Sequence, residues 1–234
     1  MLPAIAFCPS PPLLVPAVAA GAATELDPLR TACRDAVGRL LATGPDEVVV
    51  LATGPVTSRF PPGTTGSLAG YGVPLSAALP GADLSGVPAR HGVRLPLGLT
   101  LGAWLLTGTT VPALGIMVGP DADPAEIGAG LDGAGRRRAL LVMGDGSARR
   151  TEAAPGYVDP RAVGFDESVA AALRTADGPA LAALDPVLGT ELLAAGVRAW
   201  RVAGQAATGS YEGELLHESA PYGVAYVVAV WTAR

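Results

Sequence analysis

The chain has 234 residues, half of them hydrophobic, and a formal net charge of −5 at pH 7. This length fits one large domain, so we expect a single domain over residues 1–234. The acidic balance argues against a nucleic-acid partner. Proline, glycine or charge interrupts every apolar run before the roughly 18 residues that a membrane span needs. Two cysteines are too few for a disulfide framework, and no signal peptide is recognisable, so the cytoplasm is the expected compartment.

Short apolar runs alternate with helical periodicities along the chain. Residues 2–7 are predicted to form a strand that ends before Pro9, and a helix is predicted from Thr24 or Asp27 to about residue 43. The glycine- and proline-rich stretch 54–96 is predicted to be a long loop, which is typical of functional or mobile segments. On the same grounds, further strands are predicted at 48–51, 111–118, 139–143, 214–217 and 224–231, and further helices at 97–106, 124–134, 166–175 and 187–206.

This alternation predicts an α/β fold with a central, mostly parallel sheet and helices on both faces. In such sheets, ligands bind outside the carboxyl ends of the strands. The segments that begin at Cys8, Ala52 and Gly144 all follow predicted strands. We therefore expect a pocket where these segments meet.

Four segments resemble motifs of one enzyme family, in the same order. Residues 143–150 read Met-Gly-Asp-Gly-Ser-Ala-Arg-Arg, with Tyr-Val-Asp-Pro-Arg at 157–161 and Phe-Asp at 165–166. This block resembles the Ser-Gly-Asp-Leu-Ser-His-Arg block of class III extradiol ring-cleavage dioxygenases of the B-subunit, protocatechuate 4,5-dioxygenase-like type. Residues 8–16, 48–55 and 220–226 resemble the family's opening Pro-His-Pro-Pro segment, its second ligand strand and its terminal strand. The resemblance implies the fold of that family.

The resemblance also implies a site that this chain does not reproduce. In the family, two histidines and an acidic residue hold a non-haem iron, and the histidine of the 143–150 block is an acid/base group. Ser10 and Gly54 stand at the places of the two ligand histidines, Ala148 at that of the acid/base histidine, and Glu218 is the nearest match to the acid. Non-haem iron that activates oxygen needs two imidazoles and one carboxylate with open positions. We therefore expect neither iron nor ring cleavage.

Only two histidines are available to rebuild a metal site. His217 and Glu218 are neighbours in a predicted strand, so their side chains point to opposite faces unless the strand bulges. His91 lies in the predicted loop. The simpler interpretation is a solvated His91 and a half-buried His217, and an Fe(II) site built from His91, His217 or Glu218 is the alternative.

Other residues offer chemistry without a metal. Asp145 could act as an acid/base group at a strand end, although an aspartate that holds the loop through backbone hydrogen bonds is the simpler interpretation. Ser10, Ser147 and Cys8 are candidate nucleophiles, but none has a base beside it in the sequence. Arg149 flanks the expected pocket and could pair with an acidic ligand.

Three functional hypotheses follow. The first, which we favour, is a pseudoenzyme of the dioxygenase fold that has no cofactor and binds a small molecule or a partner chain, including a homo- or hetero-oligomer. The second is an active extradiol dioxygenase of a catechol-type substrate with an atypical Fe(II) site, and the third is a metal-free enzyme that uses Asp145, Ser10 or Glu218. The predicted pocket residues are Cys8, Ser10, Thr53, Gly54, Asp145, Ser147, Ala148, Arg149, His217 and Glu218.

Overall fold

Buried, β-branched runs form the strands at the centre of the protein. A computed structural model describes residues 1–81, 94–131 and 135–234. In the described residues the strands are β1 (Ala4–Cys8), β2 (Glu47–Thr53), β3 (Ser58–Phe60), β4 (Thr65–Ser67), β5 (Ser76–Ala78), β6 (Ala113–Val118), β7 (Arg138–Met143), β8 (Tyr211–Ser219) and β9 (Tyr226–Ala233). The α-helices are α1 (Pro16–Ala19), α2 (Asp27–Ala42), α3 (Leu97–Leu105), α4 (Pro124–Gly130), α5 (Arg161–Thr175), α6 (Gly178–Ala182), α7 (Pro186–Glu191) and α8 (Val197–Ala206).

Seven of the described strands form one mixed sheet in the order β3-β6-β2-β7-β1-β9-β8. The four strands β6, β2, β7 and β1 run parallel to one another. The strands β3, β9 and β8 are antiparallel to their neighbours, and β4 pairs with β5 in a separate small sheet. The chain thus forms one α/β domain.

Helices cover both faces of this sheet. Alternate residues of a strand point to opposite faces, and in β2 the residues Val48 and Val50 pack in one core with α2 and α3. Val49 and Leu51 pack in a second core with α5 and α8. We call these the first face and the second face. Because the parallel strands are buried on both sides, their sequences are continuously apolar rather than alternating.

Most of the predicted elements are confirmed. The strands predicted at 2–7, 48–51, 111–118, 139–143 and 224–231 are present, with ends that differ by at most two residues. The helices predicted up to residue 43 and at 97–106 are also present. The helix predicted at 166–175 begins earlier, and the strand predicted at 214–217 extends in both directions. Within 54–96, which was predicted to be irregular, the described residues form β3, β4 and β5.

The prediction of one continuous helix over 187–206 is wrong. The chain forms α7 and α8, separated by a turn in which Leu193 adopts the left-handed conformation with φ of 55°. The N–H of Leu193 donates to the carbonyl of Thr190, and the N–H of Ala194 donates to that of Gly189. This is the hydrogen-bond pattern of a Schellman helix end, which usually has glycine at the left-handed position. A leucine there hides the helix end from sequence reasoning.

Three predictions extend beyond the described residues. Residues 82–93 of the loop predicted at 54–96 lie outside the described residues, and His91 is one of them. The last three residues of the helix predicted at 124–134 also lie outside, and α4 is the part of it that the structure describes as helical. None of the helices in the described ranges combines the length and apolar character that a membrane span requires.

Candidate functional site

The segments with family-like motifs meet at one edge of the sheet. In the parallel register, Met143 pairs with both Cys8 and Ala52, and Thr53 pairs with Val118. The carboxyl ends of β1, β2, β6 and β7 therefore lie side by side, where ligands of open α/β sheets bind. Because β9 is antiparallel to β1 and β8 is antiparallel to β9, β8 runs in the direction of β1, and the end of β8 and the start of β9 reach the same edge.

The loop after β7, residues 144–150, is held by buried hydrogen bonds. The N–H of Ser147 donates to the Asp166 carboxylate at 2.8 Å, and the Ser147 hydroxyl donates to the carbonyl of Leu192 at 3.0 Å. The N–H of Ala148 donates to the same carbonyl. A Cβ on Gly146 would come within 2.6 Å of the Asp166 carboxylate, so only glycine fits there without a shift. The Ser147 side chain is fully buried and serves the loop structure, which leaves it poorly placed as a nucleophile.

Asp166 was not among the predicted site residues, although Phe165-Asp166 was part of the resemblance. Its side chain is only 2 % exposed. Burial raises its pKa to about 6, while the Ser147 N–H and the Arg150 guanidinium, 3.8 Å away, oppose the rise. One carboxylate oxygen has no hydrogen-bond partner among the described residues. Asp166 thus positions the 144–150 loop from the second face.

Asp145 lies in the same loop and accepts a hydrogen bond from the N–H of Ser10 at 2.6 Å. It therefore joins the loop after β7 to the loop after β1, as expected for a loop-stabilising aspartate. Part of its surface is exposed, but protein atoms enclose the carboxyl, and this burial raises its pKa to about 7. Burial and the nearby Asp145 carboxylate also raise the pKa of Tyr226 above its usual value. Asp145 can therefore exchange a proton near neutral pH.

The space beside Gly54 is filled. Gly54 follows β2 and its N–H donates to the carbonyl of Val118. A Cβ built on Gly54 would overlap the sulfur and Cγ of Met117, a buried residue of the first-face core. An imidazole at position 54 therefore requires Met117 to move.

Glu218 lies away from this position. The strand β8 stands four places from β2 in the sheet, which corresponds to about 19 Å at the usual strand spacing. Glu218 pairs across the ladder with Val227 of the second-face core, and its carboxylate is 3.6 Å from the Arg174 guanidinium. Glu218 and Gly54 thus lie at the same edge of the sheet on strands four places apart, and their sharing of one cleft stays a prediction.

His217 points away from Glu218. A bulge lies between Leu215 and His217, but His217 pairs with Val228 of the first-face core. Its ring Nε2 is 2.8 Å from the Ser219 hydroxyl, and burial lowers its pKa. Within residues 1–81, 94–131 and 135–234, no three His, Cys, Asp or Glu side chains are grouped to hold a metal. The described residues do not fit the iron that the resemblance implies.

Cys8 lies in the interior of the protein. It is buried in the first-face core, and the adjacent Cys33 thiol together with burial raises its pKa well above the usual value. A thiol rather than a thiolate is expected, which makes Cys8 a poor nucleophile.

A cavity of about 290 Å³ opens beside the end of β2 on the second face. Sequence reasoning included Thr53 in the predicted pocket but missed the rest of the wall, because residues 187–206 were predicted to be one helix. Arg149 is near this region: a Cβ on Gly156 would lie within 3 Å of both Arg149 Cγ and Leu193 Cδ1. The cavity is lined by Thr53, Pro186, Gly189, Thr190, Leu193, Ala194, Ala195, Val197 and Arg198.

Comparison with known proteins shows a shared fold and no more. No protein-family profile matches the chain, and no curated protein matches it significantly. Among solved structures, the chain is similar to the crystal structure of uncharacterized protein JW3007 from Escherichia coli K12. The TM-score is 0.57, with 16 % identity over 98 % of this chain and 99 % of that chain. The mixed α/β architecture therefore extends over nearly the whole of both proteins.

Proposed function

We propose that this protein is a divergent relative of the class III extradiol dioxygenases that has lost iron and ring cleavage and binds a small molecule at the carboxyl edge of its sheet. The main support for the proposal is the position of the Met117 side chain. It occupies the space beside Gly54, where the resemblance implies an imidazole. Ser10 and Ala148 offer no imidazole either. A metal site needs the right number of ligands in the right geometry. Positions 10, 54 and 148 supply neither the number nor the geometry.

The first experiment measures iron directly. Protein purified anaerobically and without a tag is titrated with Fe(II) by calorimetry, and oxygen uptake is recorded with protocatechuate. We expect no stoichiometric iron and no oxygen uptake. Stoichiometric iron together with catechol cleavage that is lost in Glu218→Ala would establish the alternative, an active dioxygenase with an atypical site.

A restoration variant tests the alignment behind the proposal. Ser10→His and Gly54→His place two imidazoles at the positions of the family ligands, and Met117→Ala makes room for the second. We expect this triple variant to bind Fe(II) at least about tenfold more tightly than the wild type. The matched control is Ser10→His with Met117→Ala, which has the same opened space and only one new imidazole. Equal iron affinity in the two folded variants would show that positions 10 and 54 do not face a common site.

Asp145 supports a second candidate function, that of a metal-free enzyme with an acid/base carboxyl. A general acid or base works best when its pKa is near the working pH, and burial raises the pKa of Asp145 to about 7. Carboxyl-detected NMR across pH 3–9, with Asp145→Asn to assign the signal, measures this value. A pKa below about 5 would remove this candidate, because the carboxylate would then be an ordinary loop anchor.

A further inference from the structure

The cavity beside Thr53 is separate from the positions discussed under the proposed function. Its walls come from α7, the turn at Leu193 and the first turn of α8. Both helices pack on the second face, whereas Met117 and the space beside Gly54 belong to the first. At about 290 Å³, the cavity is at the lower end of the range for small-molecule pockets. It suits a ligand of a few heavy atoms rather than a nucleotide or a peptide.

The polar groups of this cavity favour a negative charge. Arg198 is half-buried in the wall, and its guanidinium makes no hydrogen bond or ion pair with any described residue. None of the described residues that line the cavity is acidic. Arg198 is also in the first turn of the ten-residue helix α8, where free backbone N–H groups and the helix dipole attract anions. A half-buried guanidinium without a carboxylate partner is an incomplete pair that a bound anion would complete.

Thr53 adds an independent sign of a missing partner. Its hydroxyl is buried and has no hydrogen-bond partner among the described residues. A buried hydroxyl left unpaired costs about 1–3 kcal/mol. Because Thr53 lines the cavity, a bound acceptor could receive a hydrogen bond from this hydroxyl. The same ligand oxygen could then satisfy Thr53 and Arg198.

The rim of the cavity is apolar. Leu193 lines it with 47 % of its surface exposed, and Val187, next to the lining residue Pro186, is 65 % exposed. Leucine in the left-handed conformation costs roughly 1–2 kcal/mol, and such strain concentrates at binding sites. An anion alone would leave these side chains in water, whereas an anion with a short hydrocarbon body would cover them.

We propose that this cavity binds the carboxylate of a small organic acid, with the carboxylate on Arg198 and Thr53 and the hydrocarbon part against Leu193. The site is independent of the proposed loss of iron, since it uses the opposite face of β2. Recognition requires one negative charge, a planar pair of oxygens and a short apolar tail. A guanidinium binds that oxygen pair in a bidentate way.

The test uses hexanoate as the probe and the full-length protein. Binding is measured by calorimetry and by ¹H–¹⁵N NMR, with hexanamide as the neutral comparator and inorganic phosphate as the anion without a tail. We expect saturable hexanoate binding, with shift changes at residue 53 and across 186–198. Hexanamide and phosphate should each bind at least about tenfold more weakly.

Two variants and one control locate the binding energy. Arg198→Gln should weaken hexanoate binding at least about tenfold, and Thr53→Val, which keeps the shape and removes the hydroxyl, should weaken it several-fold. Arg34→Gln, which removes an exposed arginine of α2, matches the charge change and should have no effect. Absence of saturable binding up to about 50 mM would overturn the proposal. So would equal affinity for hexanoate and hexanamide, equal affinity for phosphate, or an unchanged affinity in folded Arg198→Gln.

Discussion

Replacement of Asp145 by asparagine is expected to stabilise the protein at pH 8 and to change its stability little near pH 4. Burial raises the pKa of this carboxyl from 3.8 to about 7 in the folded state. The folded protein therefore holds the proton more tightly than the unfolded chain does. The stabilisation from the protonated carboxyl is complete below about pH 4 and is lost as the pH rises through about 7.

The magnitude follows from the shift. Each pKa unit corresponds to about 1.4 kcal/mol, so the wild type should lose about 4 kcal/mol of unfolding free energy from this group between pH 4 and pH 8. Asparagine does not titrate, and its side-chain oxygen can still accept the N–H of Ser10. The variant thus keeps the link between the two loops and avoids the buried charge.

The measurement is urea unfolding of both proteins from pH 4 to pH 8.5, with the difference in unfolding free energy plotted against pH. Taking the difference cancels the other titrating groups, including Asp166, whose pKa is also raised. Asp121→Asn makes the same substitution at an exposed position and is the matched control. A difference for Asp145→Asn that does not change with pH, or one that favours the wild type at pH 8, would refute the conclusion that the Asp145 carboxyl is buried and has a raised pKa.

Two further substitutions test how the edge of the sheet is built. Arg30 is fully buried and donates to three backbone carbonyls ahead of α2. Arg30→Met should therefore lower the unfolding free energy by about 3–5 kcal/mol in urea titrations, whereas Arg34→Met on the exposed side of the same helix should cost under about 0.5 kcal/mol. Gly54→Ala should cost about 1–3 kcal/mol because its Cβ overlaps Met117, and a double-mutant cycle with Met117→Ala should recover at least about 1 kcal/mol of this. Additive effects in the cycle would mean that the two positions are not in contact.

Local sequence pattern was sufficient for the four parallel strands β1, β2, β6 and β7 and for the edge at which they end, but not for β3, β4 and β5. The runs that became β2 and β7 are apolar without alternation, which is the pattern of parallel strands buried on both faces. Once the strands are parallel, their carboxyl ends must meet. That geometric rule placed Ser10, Gly54 and Asp145 at one edge without knowledge of any contact.

Side-chain surroundings could not be predicted in the same way. That Met117 fills the space beside Gly54 depends on the register between β2 and β6, which no local pattern encodes. The pKa of Asp145 depends on how many atoms enclose it, a property of the packed structure. The cavity at Leu193 was missed because a leucine occupies a left-handed position where sequence rules expect glycine or asparagine.

The end of β2 contributes one residue to each of the two proposed sites, and a substitution beside it can distinguish the two sites. Thr53 and Gly54 are consecutive; Thr53 lines the cavity on the second face, and Gly54 contacts Met117 of the first-face core. If hexanoate binds where we propose, Met117→Ala should leave its dissociation constant within about twofold of the wild type, because the new space opens on the opposite face of the strand. The substitution removes buried volume and should lower the unfolding free energy by about 2–5 kcal/mol, so folding is checked first by circular dichroism. A change of tenfold or more in hexanoate affinity in the folded variant would place the ligand on the first face, beside Gly54 and Asp145. The organic-acid site would then coincide with the positions at which the proposed function places a lost iron site.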